Sequence, residues 1–166
     1  MQFQESVNLN TPRPSSLLVD GKIFTMAPPT YGNIPGDQVI NVKTVANLPV
    51  FGNGIHDDTA NINSIFAQNT GKVIYFPAGT YSVSNTITIP PGSRIVGDAY
   101  ASYFSAIGGI FSDASTPVPL VQLGKPGDVG VGQISDMVFT VADVLPGCKL
   151  VGSLQSSSLA KEVGEG

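Results

Sequence analysis

The feature that most restricts the fold of this chain is a run of short β-rich segments that end at Gly or Pro. Residues 72–99 read KVIYFPAGTYSVSNTITIPPGSRIVGDA, in which VIYF, YSV, TITI and RIVG are separated by PAG, SN and PPG. A strand of three or four residues cannot bury an apolar face alone, so such segments must stack on neighbours. The pattern predicts an all-β fold of stacked short strands.

The spacing of the apolar segments favours one stacked architecture over another. Centring the strands on Ile74, Ile95, Val121 and Val138 gives steps of 21, 26 and 17 residues, a loose period near twenty. This favours a right-handed parallel β-helix. A β-sandwich is the alternative, because it also has short strands at intervals of about 8–12 residues. A sandwich needs hairpins, however, and the one obvious two-residue turn is Asp20-Gly21.

Composition excludes several classes of function. The 166 residues carry a net charge of −4, which leaves no basic surface for nucleic acid. No apolar run approaches the roughly 20 residues that cross a bilayer. The N-terminus MQFQESVNLNTPRPSS has neither a basic region nor an apolar core, so we expect no signal peptide in this chain. Cys148 is the single cysteine, and we expect a free, buried thiol and no metal or other cofactor.

The motif HDD at residues 56–58 is interpreted as the start of a helix. Apolar residues follow at spacings of three and four, which puts them on one helical face; they are Ile62, Ile65 and Phe66. Asp57 and Asp58 are predicted to cap a helix over residues 58–68, with Gly71 as its stop. The apolar face is expected to cover the open end of the β-helix. His56 has no second His or Cys nearby, so a metal role is not expected.

The distribution of Pro, Gly and polar residues predicts that the chain has three parts. Residues 1–38 are rich in Pro, Gly and polar residues and are predicted to be an extended approach segment that contains the Asp20-Gly21 hairpin. Residues 39–151 form the β-helix module, which starts with a strand over Val39–Val45 and includes the capping helix. Residues 152–166 are polar, have no β pattern, and are predicted to be a disordered tail.

Two stretches resemble a known family. NGIHDDTANINSIFA followed by GKVIYFPAGTY is similar to the repeat that opens pectate-lyase-like β-helix modules, and SDASTPVPLVQLGKPGD is more specific. Together they resemble the start of the second β-helix module of glycoside hydrolase family 55, the β-1,3-glucanases, over about residues 21–151. The resemblance implies a pectate-lyase-like, right-handed parallel β-helix from an extracellular, exo-acting, inverting hydrolase of β-1,3-glucan.

The sequence also departs from the family pattern. Asn53 stands where the family has Asp between two glycines, and after CKLV the chain reads GSLQSSSLAKEVGEG in place of a Glu-Trp-Asn segment. We therefore expect a truncated gene product. The resemblance places the catalytic carboxylates downstream, in a cleft shared with a first β-helix module that is missing here. It implies no catalytic residue in this chain and a fragment that is inactive alone.

Candidate site residues follow from this interpretation. Tyr100, Tyr103 and Phe104 form the one exposed-looking aromatic cluster, and we predict that they face β-1,3-glucan in the parent enzyme. The other carboxylates are assigned to turns, strand starts or tails and not to chemistry; they are Glu5, Asp98, Asp113, Asp128, Asp136, Glu162 and Glu165.

Two alternatives remain open. The first is a carbohydrate-binding or structural β-helix module without catalysis. The second is a pectate lyase or galacturonan hydrolase. The second is disfavoured because pectate lyases bind Ca²⁺ through several carboxylates, and here Asp residues cluster only at the helix cap.

Overall fold

The computed structural model describes residues 18–23 and 29–153, which divide into two units after Thr30. In the first unit the strands β1 (Leu18–Val19) and β2 (Lys22–Ile23) pair antiparallel. Asp20 and Gly21 join them with φ of 51° and 73°. Positive φ at both central residues is the geometry of a two-residue hairpin turn, so the predicted hairpin is confirmed.

The second unit is built from short strands and one helix. The strands are β3 (Val39–Asn41), β4 (Asn53–Asp57), β5 (Val73–Phe76), β6 (Gly79–Val83), β7 (Ile87–Ile89), β8 (Arg94–Gly97), β9 (Ser102–Ala106), β10 (Val118–Leu123), β11 (Gln133–Ser135), β12 (Val138–Val141) and β13 (Cys148–Ser153). The helix α1 spans Thr59–Gln68, and short 3₁₀ turns lie at Gly36–Gln38, Val42–Thr44 and Gly109–Phe111.

These strands form three parallel sheets, which the chain visits in a fixed order. Sheet 1 has the order β3-β5-β8-β11, sheet 2 the order β4-β6-β9-β12, and sheet 3 the order β7-β10-β13. Each pass through the sheets is called a coil here, and the described residues contain four. Coil 1 comprises β3, β4 and α1; coil 2, β5 to β7; coil 3, β8 to β10; and coil 4, β11 to β13. An all-β fold of stacked parallel strands is thereby confirmed.

The helix α1 lies where coil 1 would have its third strand, and it packs on β7 of the next coil. Its apolar residues Ile62, Ile65 and Phe66 are at most 2% exposed, as predicted. The side-chain amide of Asn63 also forms hydrogen bonds with backbone groups along the edge of β7. Its Nδ2 donates to the carbonyl of Thr86 at 3.0 Å, and its Oδ1 accepts from the N–H of Thr88 at 2.9 Å. The helix therefore covers both the core and a strand edge.

Side chains that repeat at the same place in successive coils fill the interior. In sheet 1, Ile74 and Ile95 are in register, with Ile40 before them and Ile134 after them. In sheet 2 the equivalent row is aromatic, with Tyr81, Phe104 and Phe139 in register. Phe76 makes edge-on contacts with Tyr81 and Phe104, at centroid distances of 5.1 and 5.0 Å. The core is thus a set of stacked rows.

The predicted period of twenty is correct for one step only. Ile74 and Ile95 are register partners, but Val121 lies in sheet 3 beside Ile87, and Val138 lies in sheet 2 beside Tyr103. The steps of 26 and 17 residues therefore joined strands of different sheets. The reason is that the irregular connections before β10 and β11 make coil 3 longer than coil 2. Periodicity also does not report which sheet a strand enters.

Three predicted boundaries also change. The strand expected over Val39–Val45 ends at Asn41, whose side chain accepts the N–H of Lys43 and begins a 3₁₀ turn. Asp136, expected to begin a strand, has φ of 58° and lies in the bend between β11 and β12. The strand β13 continues to Ser153, two residues into the predicted tail. The rest of that tail lies outside the described residues.

Candidate functional site

Asp58 occupies the predicted N-cap position, but its side chain does not make the predicted capping hydrogen bond. It is 1% exposed, and its carboxylate accepts the backbone N–H groups of Phe51 at 2.8 Å and Gly52 at 2.9 Å. Two N–H groups in a bend before β4 would otherwise lack acceptors, and a buried polar group without a partner is costly. Asp58 therefore holds the bend of coil 1, and the capping role assigned to it is wrong.

Asp57 performs the helix-start role. Its carboxylate accepts the backbone N–H and the hydroxyl of Thr59, the first helical residue, and also the hydroxyl of Ser84. Burial would by itself raise the pKa of Asp57, but the hydrogen bonds from Ser84 and Thr59 outweigh it and lower the pKa below its usual value. A carboxylate that is stabilised in its charged form serves as a hydrogen-bond acceptor and is a poor proton donor.

Asp113 and Asp128 hold turns, which is the role predicted for them. Asp113 accepts from the N–H and hydroxyl of Ser115 and the hydroxyl of Thr116, and these bonds lower its pKa to about 2. Asp128 accepts the N–H of Lys125 at 2.8 Å. Within residues 18–23 and 29–153, no three His, Cys, Asp or Glu side chains gather into a metal-binding group.

The predicted aromatic cluster separates into two parts. Tyr100 is 88% exposed and Tyr103 is half-buried, whereas Phe104 is 1% exposed. Tyr103 and Phe104 are adjacent in β9, so they point to opposite faces of the sheet, and Phe104 joins the aromatic row of the core. Phe104 is therefore not available to a ligand, and that part of the prediction is wrong. The hydroxyl of Tyr103 donates to the carbonyl of Tyr100 at 2.6 Å, which fixes Tyr103 beside its exposed neighbour.

A second exposed aromatic group was not predicted from the sequence. Phe51 is 47% exposed, and its ring stacks on the imidazole of His56 with centroids 4.2 Å apart and planes inclined by 21°. The side-chain amide of Asn53 lies 2.9 Å from Nδ1 of that imidazole. The HDD motif drew attention to His56, but no sequence pattern indicated its partner across the bend.

Phe51 and Tyr100 lie on one line of bends between the strands of sheet 1 and those of sheet 2, whereas His56 and Tyr103 lie in the strands β4 and β9 that follow these bends. Gly52 of coil 1 accepts the N–H of Thr80 at 3.0 Å, and the N–H of Gly79 donates to Ala101 of coil 3 at 2.8 Å. The bends of three successive coils are thus stacked. We call this line the corner strip; it comprises residues 51–52, 77–79 and 98–101.

Two further features lie away from the corner strip. Cys148 is only partly buried, and this burial raises the pKa of its thiol. A cavity of about 270 Å³ between α1 and the residues after β10 is lined by Asn63, Ala67, Thr88, Pro90 and Lys125. The Asn63 amide is already bonded to β7, and Lys125 is the one ionisable side chain among these lining residues, so the cavity does not bring an acid and a base together.

Comparison with known proteins first gives the class. Residues 39–116 match the family model described as rhamnogalacturonase A/epimerase, pectate lyase-like. A solved chain described as ORF18 of Geobacillus virus E2 shares the fold, with a TM-score of 0.53 and 21% identity over 81% of this chain and 28% of that one. The chain thus has a pectate-lyase-like segment with parallel sheets.

Two proteins similar in sequence then show which kind of enzyme the chain resembles. A protein of Trichoderma harzianum named glucan endo-1,3-β-glucosidase is 41% identical over 87% of this chain and 20% of its own length. A glucan 1,3-β-glucosidase of Cochliobolus carbonum is 34% identical over 90% of this chain and 19% of its own length. The chain is similar over most of its length to these proteins named glucan 1,3-β-glucosidases, which agrees with the resemblance described from the sequence. It spans about a fifth of the length of these relatives.

No helix in the described residues is long and apolar enough to span a membrane.

Proposed function

We propose that this chain is a right-handed parallel β-helix segment of a secreted β-1,3-glucan hydrolase, and that it binds glucan but does not cleave it alone. The observation that carries the proposal is the identity of 34–41%, over most of the chain, to relatives named for action on 1,3-β-glucan. One of these relatives is named endo-acting, and the exo-acting, inverting chemistry expected from the resemblance stays a prediction.

The order of the strands supports the β-helix. The chain enters sheets 1, 2 and 3 in the same order in successive coils, and each strand pairs in parallel with its counterpart one coil away. Parallel strands of one sheet that are joined by a crossover connect with a right hand in about 98% of cases. A right-handed winding is the expected consequence.

The carboxylates support the absence of hydrolysis by this segment. Inverting hydrolysis needs two carboxyl groups about 6.5–9.5 Å apart, one of them an acid with a raised pKa. In the described part of the chain, Asp57 and Asp113 have lowered pKa values, and Asp58 is buried between two backbone donors. The lowered pKa values suit Asp57 and Asp113 to structural roles, and the carboxylate of Asp58 is already occupied by the backbone. The aromatic residues Tyr100 and Tyr103 are the better candidates for glucan contact, through stacking on sugar rings.

The experiment uses the 166-residue polypeptide with laminarin, pectate and polygalacturonate in parallel. Reducing-sugar release tests hydrolysis, absorbance of unsaturated products tests lyase activity, and affinity electrophoresis tests binding. We expect retardation by laminarin and turnover of none of the three. Glucose release that one Asp substitution abolishes would place a complete active site within this chain and overturn the proposal.

The same assay addresses the galacturonan alternative, which the name of the matching family model keeps relevant. Selective retardation or turnover of pectate or polygalacturonate, with no response to laminarin, would replace glucan as the ligand.

A further inference from the structure

We infer that the corner strip binds one glucan chain, which lies along the stacking direction of the coils. The chain would stack on two aromatic platforms, Tyr100 and the pair of Phe51 and His56. The inference rests on the proposed function, and it adds Phe51 and His56 as a second platform, an orientation for the ligand and a minimum ligand length.

The first argument is position. Among the Phe and Tyr residues whose side chains are described, Phe51 and Tyr100 are the two that are exposed, at 47% and 88%. They lie in the bends of coils 1 and 3, which the hydrogen bonds of Gly52 and Gly79 tie into one stack. Parallel strands lie about 4.8 Å apart, so the two platforms are about 10 Å apart along the stack. A single sugar cannot cover both, whereas an oligosaccharide can.

The second argument is backbone strain. The bends of the corner strip and of coil 4 have positive φ at Gly52 (56°), Tyr100 (60°) and Asp136 (58°). Glycine adopts this region freely and aspartate tolerates it, but a bulky residue there is uncommon and costs stability. Such strain concentrates where a side chain has a task. The chain therefore has an exposed tyrosine at position 100, although glycine would adopt this backbone conformation with less strain.

The third argument is that the second platform is already ordered. The ring of Phe51 stacks on His56, whose imidazole is held by the Asn53 amide. The backbone N–H of Phe51 is fixed by the carboxylate of Asp58. A rigid platform loses little conformational entropy when a ligand binds.

The fourth argument is the shape of the bend of coil 2, which lies between the two platforms. We call it the low bend because its side chains are small. Coil 2 presents Pro77, Ala78 and Gly79 there, and a Cβ on Gly79 would collide with the carbonyl oxygen of Gly52. The ammonium of Lys43 donates to the carbonyl of Ala78 at 2.8 Å and has further protons for sugar hydroxyls. Small side chains flanked by two rings leave space for a chain that runs from one ring to the other.

The test measures binding of glucose, laminari-oligosaccharides of increasing length and laminarin to the 166-residue polypeptide by titration calorimetry. The variants are Tyr100→Ala, Phe51→Ala and Ala78→Arg, which obstructs the low bend. Val144→Ala is the matched control, because Val144 is 86% exposed and lies outside the corner strip. Circular dichroism melts accompany each variant, so that loss of binding is separated from loss of fold.

We expect affinity to rise sharply at the oligosaccharide length that reaches both rings. Loss of either ring should weaken laminarin binding about tenfold and remove the length step, since two linked contacts act together. Ala78→Arg should weaken long ligands and spare short ones, and Val144→Ala should change nothing. If Tyr100→Ala abolishes binding and Phe51→Ala does not, the two-platform strip is refuted while the proposed function stands. If the parent chain binds no glucan, the proposed function itself fails.

Discussion

The buried carboxylate of Asp58 accepts the backbone N–H of Gly52 at 2.9 Å, although Asp58 stands at the start of a helix. The same carboxylate accepts the N–H of Phe51. One side chain thereby joins the start of α1 to the first bend of the corner strip. The stability of the capped end and the shape of the candidate glucan site consequently depend on one residue.

Asp58→Ala should therefore cost more than the loss of an ordinary helix cap. Removal of the carboxylate leaves two N–H groups without their acceptor, so we expect a loss of about 3 kcal/mol in the free energy of unfolding. A lost cap costs about 1 kcal/mol. Urea unfolding measures the difference. Asp58→Asn, which retains one acceptor oxygen, is the graded control, and a loss of about 1 kcal/mol or less in the Ala variant would return Asp58 to a simple capping role.

Ile65→Asp should open the end of the stacked coils that α1 covers. Ile65 is fully buried between α1 and the coils, and an unpaired charge there costs several kcal/mol. We expect aggregation or a strongly lowered melting temperature, measured by light scattering and circular dichroism. Ala60→Asp places the same charge on an exposed turn of the same helix and should be tolerated. Equal behaviour of the two variants would show that α1 does not seal the core.

Gly79→Ala should be destabilising because of close backbone packing. The added Cβ would collide with the carbonyl oxygen of Gly52, and backbone cannot move aside cheaply. We expect a loss of about 1–3 kcal/mol in the free energy of unfolding. Gly109→Ala is the matched control, since a Cβ added there would meet nothing within 4 Å. A neutral Gly79→Ala would mean that the coils can separate at this bend.

Acid should weaken the fold partly through Asp57. Its pKa is lowered in the folded chain, so its contribution to stability is complete above the unfolded value near 4 and is lost as pH falls through the folded value. Urea unfolding between about pH 7 and pH 2.5 should show this decline. Ser84→Ala removes one hydrogen bond to the carboxylate, so the decline should become shallower. An unchanged profile would exclude Asp57 as a source of the acid sensitivity.

Tyr100→Gly should separate stability from binding. Glycine relieves the positive φ of 60°, so we expect a melting temperature equal to or above that of the parent, together with weaker binding of laminarin. Asp136→Gly relieves similar strain in coil 4 without removing a ring, and it should leave binding intact. A Tyr100→Gly variant that binds normally would remove the functional reason for the strain.

The sequence by itself determined the local structure of this chain. Short β-branched segments punctuated by Gly and Pro specified stacked strands, the spacing of Ile62, Ile65 and Phe66 specified the buried face of α1, and Asp20-Gly21 specified a hairpin. Each of these depends on neighbours along the chain, through side-chain period and permitted φ values. The family resemblance rested on the same local motifs.

Only the tertiary structure decided which groups meet across coils. Register placed Phe104 in the core and left Tyr103 outside, because a shift of one residue reverses the face of a strand. It turned the side chain of Asp58 toward the bend at Gly52, placed the Asn63 amide against the edge of β7, and stacked the bend that contains Phe51 with the bend that contains Tyr100. These partners are separated by connections of variable length, and the free energy that selects them comes from burial and hydrogen bonds that form only when the coils stack.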